Sequence, residues 1–114
     1  MVFTTTITQN KEFLFLYKKG KSIISKAVVV YFKKNNSPYN RLGITSSKKI
    51  GNAVARNRAR RVIRAAYRLT EMDFPIGYDM IFVARTAATG VKSDTIKRFF
   101  SGKVIPQIIQ ASKK

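Results

Sequence analysis

The stretch "IGNAVARNRARRVIRAAYR", Ile50 to Arg68, carries six arginines, Arg56, Arg58, Arg60, Arg61, Arg64 and Arg68, and not one acid. Wound at about 100° per residue, its alanines and aliphatics fall on one stripe: Ala55, Ala59, Val62, Ala66 and Leu69, with Ile63 beside it. That stripe is the expected core contact of a helix over Ala53 to Leu69, capped by Asn52. Arg56, Arg60, Arg64 and Arg68 then make an unbroken i, i+4 row, with Asn57 and Arg61 next to it and Arg58 at the other border of the apolar stripe. One face packs and the other is cationic. A merely solvated face mixes signs, because like charges at i, i+4 cost a few tenths of a kcal/mol each. Three successive repulsive pairs point to neutralisation from outside the chain. Arginine in place of lysine narrows the partner, since its planar fork binds phosphate through two hydrogen bonds and stacks on bases.

The remaining sequence agrees. The chain has 114 residues, long enough for one domain that buries roughly two-thirds of its unfolded surface. Hydrophobic residues make up 45% of it and aromatics 11%, which is a folding composition rather than a basic tail. The formal charge is +18, from 23 Lys+Arg against 5 Asp+Glu, and everything from Phe13 to Thr70 is free of carboxylates. Such an excess repels itself in the compact state unless a polyanion neutralises it. The absence of Cys and His removes thiol nucleophiles, the common zinc sites and the usual neutral-pH general base. No apolar run approaches the length of a membrane span, and "MVFTTTITQN" lacks the features of a signal peptide. A soluble, cytoplasmic protein with no membrane partner and no small-molecule substrate is the expectation.

Outward from the arginine helix, Thr8 or Asn10 can cap a first helix running through Lys19, with Gly20 just past its end. "AVVVYFK" (Ala27 to Lys33) and "RLGITSS" (Arg41 to Ser47) read as strands, and "NNSP" between them as a turn, so the two are expected to pair as a hairpin. Pro75 and Gly77 precede a buried-strand pattern, "MIFVAR". Ser93 can cap a last helix, with a kink or break between Gly102 and Pro106. The predicted order is αββαβα, an α+β fold forming a two-layer α/β sandwich. The whole of 1–114 is a single RNA-binding domain, with 1–7 and 111–114 as flexible ends.

A second signal comes from aromatics among the lysines. Phe13, Leu14, Phe15, Leu16 and Tyr17 are consecutive, more than one helix buries against one sheet face. Leu14 and Leu16 read as core, whereas Phe13, Tyr17 and Tyr31 suit a platform on which single-stranded bases stack.

"SSKKIGNAVARNRARRVIR" (Ser46 to Arg64), built around the triplet Arg56, Asn57 and Arg58, resembles the signature of the bacterial ribonuclease P protein subunit. "EFLFLYKKGKS", "RLGITSSKKIGNAV" and "YDMIFVART" extend the resemblance over nearly the whole chain. The resemblance implies a left-handed βαβ crossover around the arginine helix. It also implies assembly with a catalytic RNA subunit that removes the 5′ leader from precursor tRNA. On that reading Lys48, Lys49, Asn52, Arg56, Asn57, Arg58, Arg60, Arg61, Arg64 and Arg68 face RNA, while Phe13, Tyr17 and Tyr31 line a leader-binding cleft. No residue is assigned as catalytic or as a metal ligand, and phosphodiester hydrolysis falls to the RNA with Mg²⁺. The chain departs from the family in its N-terminal ten residues, which carry no Lys or Arg, and in Ala65 and Ala66, where an acid is common. A structural RNA-binding protein, such as a ribosomal component, is the alternative; a protein-only nuclease using Asp73, Asp79 or Asp94 is the third reading.

Overall fold

The computed structural model describes residues 2–113; Met1 and Lys114 lie outside the described residues, and with them the outermost part of each end expected to be flexible. The elements run β1 (Thr4–Thr6), α1 (Asn10–Lys19), β2 (Lys21–Ile24), β3 (Val28–Lys34), β4 (Asn40–Ser46), α2 (Ala53–Thr70), β5 (Tyr78–Ala84), α3 (Ser93–Phe99) and α4 (Ile105–Ser112). The α+β sandwich is present, but the order αββαβα lacks two strands. β1 and β2, of three and four residues, are too short and too polar to show an apolar period.

The five strands lie in the order β1-β4-β5-β3-β2. β3 and β4 do not form the expected hairpin: β5 sits between them, antiparallel to β3 and parallel to β4. The reason is burial. Met80, Ile81, Phe82 and Ala84 are all fully buried, so β5 has apolar neighbours on both faces and belongs at the centre. The connection from Asn35 to Tyr39 passes the start of β5, where the Asn35 amide donates to the Gly77 carbonyl at 2.8 Å. Asn40, itself fully buried, fixes that corner: its side-chain oxygen accepts from the amides of Gly77 and Tyr78, and its amide donates to the Pro75 carbonyl. Gly77 holds φ +98°, a conformation costly for any residue with a Cβ.

Helices α2, α3 and α4 cover one sheet face and α1 the other. The larger core joins Val28, Val30, Phe32, Leu42, Met80, Phe82 and Ala84 of the sheet to Ala59, Ile63, Ala66 and Tyr67 of α2 and to the last helices. The smaller joins Leu16 of α1 to Ile7 and Ile81, with Phe13, Tyr31 and Val83 packed around it. α2 is rotated about one residue from the expected stripe. Tyr67 and Thr70 are buried and Leu69 is 62% exposed, because Tyr67 joins the ring cluster of Phe74 and Phe82.

Both ends carry secondary structure. Residues 1–7, read as flexible, contain β1, which pairs parallel with β4, and the buried Ile7. Glu71 secures this segment: its carboxylate accepts from the amides of Val2 and Phe3 and from the Thr4 hydroxyl, which also shares a hydrogen bond with Tyr67. At the other end Ala111 and Ser112 belong to α4. Neither Thr8, Asn10 nor Ser93 caps a helix; Gln9 and Lys92 hold the cap positions without a side-chain bond. At the kink or break expected near Gly102 to Pro106, the helix widens into a π-helical turn over Phe100–Val104, and Pro106 follows in the first turn of α4.

Candidate nucleic-acid interface

The arginine face begins at a turn. The Lys49 amide donates to the Ser47 hydroxyl, and the buried Ile50 anchors the segment, leaving Lys48 and Lys49 exposed ahead of α2. Asn52 caps the helix, accepting from the Ala55 amide at 2.8 Å, so its oxygen is already engaged. Along the helix Arg56, Arg60 and Arg64 are half-buried, while Asn57, Arg58, Arg61 and Arg68 are exposed. Two are held in place by the protein. Arg60 donates to Ser46 at 3.3 Å and to the Asn57 side chain, and Arg58 donates to the Thr89 carbonyl at 3.2 Å. Among the described residues, the side chains of Arg56, Arg61, Arg64 and Arg68 make no hydrogen bond or ion pair. Asn57, Arg60, Arg61, Arg64 and Val54 border a shallow depression of about 370 Å³ on the outer surface of α2. A carboxylate within reach would quench this field, and four of the five acids have partners elsewhere, Asp73 lying in the turn beyond the end of α2. Glu12 and Asp79 pair with Arg41, Asp94 with Arg98, and Glu71 with the N-terminal strand.

The aromatics expected to line a cleft lie on the other face of the sheet. The Tyr17 and Tyr31 rings meet edge to face at 5.0 Å, and Phe13 and Tyr17 lie 6.5 Å apart, so the three residues form one wall. They are not equally open. Tyr17 is 38% exposed, whereas Phe13 is pressed against Gly43, where an added Cβ would come within 2.7 Å of the ring. Burial, and secondarily the neighbouring Tyr31, raises the Tyr17 phenol above its ordinary pKa, so it stays a neutral hydrogen-bond donor. Leu16 is buried as expected, but Leu14 is 58% exposed and does not belong to the core.

The register adds residues that the sequence pattern alone did not single out. Ile24, Val29, Val83 and Thr45 pair in one row across β2, β3, β5 and β4 on the α1 side, beyond the helix's cover. Ile24 is 64% exposed, and the other three are half-buried. The apolar alternation of "AVVVYFK" on both faces was the available signal; which face stays open depends on where α1 lies. Arg41 was also missed. It reaches Asp79 through two hydrogen bonds, of 2.9 and 2.7 Å, and Glu12 of α1 at 2.5 Å, tying the helix to the sheet. The Asp79 bond raises the Arg41 guanidinium further above its already high pKa. The Asp79 carboxyl is pushed up by burial but held below its ordinary range by its bonds from Arg41 and Asn35.

The Ribonuclease P family model matches residues 2–104. The chain belongs to the ribonuclease P protein family. The ribonuclease P protein component of Clostridium botulinum (strain Loch Maree / Type A3) is 45% identical over 72% of this chain and 75% of its own length. Among solved structures, the RNase P protein of Staphylococcus aureus superposes with a TM-score of 0.73 at 34% identity, covering 91% of this chain and 94% of that one. The RNase P protein of Thermotoga maritima gives 0.78 at 29% identity, covering 90% and 96%. Membership makes the chain the RNA-binding protein subunit of ribonuclease P and sets aside the ribosomal alternative.

Proposed function

We propose that α2 docks on the catalytic RNA of a cytoplasmic ribonuclease P while the cleft between α1 and the sheet holds the 5′ leader of precursor tRNA. Lys48, Lys49, Asn57 and the arginines of α2 serve the first contact. Phe13, Tyr17 and Tyr31 serve the second, with Tyr17 as the principal stacking ring because it is the most open. The observation that carries this reading is the separation of the surfaces. A row of arginines without acids lies on α2, and an aromatic wall built from α1 and β3 lies on the opposite face of the same sheet, so two RNA segments can be engaged at once.

No helix among the described residues is long and apolar enough to cross a membrane. The carboxylates do not suit a metal site of their own: Glu12 and Asp79 are bound to Arg41, Glu71 to backbone amides, and Asp73 and Asp94 stand apart from any cluster of donors. In this proposal Mg²⁺ and hydrolysis belong to the RNA. The chain neutralises phosphate charge and positions the substrate.

Cleavage of precursor tRNA by protein alone, by RNA alone and by both tests the proposal. The expected result is no cleavage by protein alone and faster cleavage by RNA when protein is added at low salt. Cleavage by protein alone would place hydrolysis in the chain, and no effect of the protein on the RNA would remove it from the reaction.

A further inference from the structure

Away from the arginine helix and the aromatic cleft, the structure gathers a second set of cations. Lys19, Lys21, Lys33 and Lys34 line one concavity of about 180 Å³ floored by Phe32, Tyr78 and Ala111. It continues into a second of about 200 Å³, which shares Lys21, Phe32 and Ala111 and adds Ser22, Gln107 and Gln110. The sequence does not show this convergence, since the lysines come from the end of α1, the start of β2 and the end of β3. Gly20 makes it possible. Its backbone is wedged so tightly that a Cβ would lie 2.7 Å from the Leu16 carbonyl oxygen and 3.1 Å from that of Phe32. The chain therefore turns directly from helix to strand, and Lys21 pairs opposite Phe32, next to Lys33 and Lys34.

The lining says what fits. Its residues with polar side chains are four lysines, two glutamines, a serine and the buried Tyr78, and none of the lysines has an ion pair among the described residues. Phe32 and Tyr78 are each 4% exposed, so no ring is available to stack on a base and no apolar side chain stands out to enter a lipid surface. Lysine is a flexible point charge that follows a phosphate backbone without reading it. We infer that this groove, between the β2–β3 edge and α4, binds backbone phosphates of RNA as a third contact surface. It lies diagonally across the sheet from Ser46 and Arg60. Lys34 pairs with Tyr78 at one end of β5, whereas Ser46 pairs with Ala84 at the other, a distance of about 20 Å at ~3.3 Å per residue. The groove thus engages a different segment of RNA from the one that α2 meets. The inference rests on RNA as the partner and is independent of the leader cleft.

The test compares the salt dependence of binding to ribonuclease P RNA for three proteins: wild type, the set Lys19→Gln, Lys21→Gln, Lys33→Gln and Lys34→Gln, and the set Arg56→Gln, Arg60→Gln, Arg64→Gln and Arg68→Gln. Removing one bound phosphate from the interface flattens the log–log slope by about 0.7 to 0.9, so the lysine set is expected to flatten it by roughly 1.5 or more, and the matching Lys→Arg set to restore it. All four lysines are exposed, and a melting curve of each variant confirms that the fold is kept. A wild-type slope in the lysine set beside a flattened one in the arginine set overturns the groove alone. Wild-type slopes in both sets overturn the arginine face as well. Acetylation of the lysines, followed by mass spectrometry, separates the phosphate sources. Protection by RNA supports the inference, whereas protection by inorganic tripolyphosphate but not by RNA assigns the groove to a free polyphosphate and overturns it.

Discussion

Helix α2 sets Ala59, Ile63, Ala66, Tyr67 and Thr70 into the large core, while α1, on the opposite face, buries Leu16 alone. The comparison shows two ways to hold a functional helix. An apolar anchor that includes a fully buried tyrosine outweighs the repulsion along the arginine row, which costs only tenths of a kcal/mol per pair. α1 has no such anchor, and its docking is completed by the Glu12–Arg41–Asp79 ion cluster and by the ring of Phe13 on Gly43. Where packing is deep, the outer face is left to charge. Where packing is shallow, the aromatic residues that would otherwise be core remain at the surface.

The sharpest way to break this comparison is to damage each anchor. Phe82 lies at the centre of the larger core against Tyr67, Phe74 and Phe100, so Phe82→Ala is expected to cost about 3–5 kcal/mol in denaturant unfolding. Leu16→Ala should act locally. Amide exchange in α1 should accelerate while protection in β3, β5 and α2 persists. A cooperative loss across all elements would show that α1 is not the separable unit its packing describes.

A smaller effect is expected where the wall meets substrate. Tyr17→Ala should weaken binding of precursor tRNA by about 1–3 kcal/mol, leave mature tRNA unchanged and scarcely move the melting temperature. Equal losses for the two tRNAs would return Tyr17 to a structural role. Phe13→Ala should behave differently, lowering stability as well, since its ring fills the space over Gly43.

The smallest effect concerns pH. Asp79 and Glu71 both titrate below their ordinary values. In Asp79 burial is outweighed by bonds from Arg41 and Asn35. In Glu71 it is outweighed by bonds from Thr4 and the amides of Val2 and Phe3. A carboxyl with a lowered folded pKa contributes stability above its unfolded value and loses it as pH falls through the folded one. Stability should therefore be flat near neutrality and decline on acidification below the ordinary carboxylate range. Arg41→Gln should reduce that decline by removing Asp79's main partner. An unchanged acid limb in this variant would deny the clamp its energetic role.

The arginine helix, its Asn52 cap and its cationic face are legible in the bare chain, because a 3.6-residue period and the absence of acids are local properties. The strand character of "AVVVYFK" and "MIFVA" was legible for the same reason. The α+β class followed from those patterns, and the family from the resemblance carried by the motif around Arg56, Asn57 and Arg58. Three-dimensional packing was needed to place β5 between β3 and β4, since a connection of five residues reaches either a neighbouring strand or the next but one. Packing also set the rotation that buries Tyr67 and exposes Leu69, the ordering of β1 by Glu71, the open row from Ile24 to Thr45, and the meeting of Lys19, Lys21, Lys33 and Lys34. Each of these joins residues from different elements. Their proximity is set by which apolar faces find one another in the core, and no period along the chain encodes it.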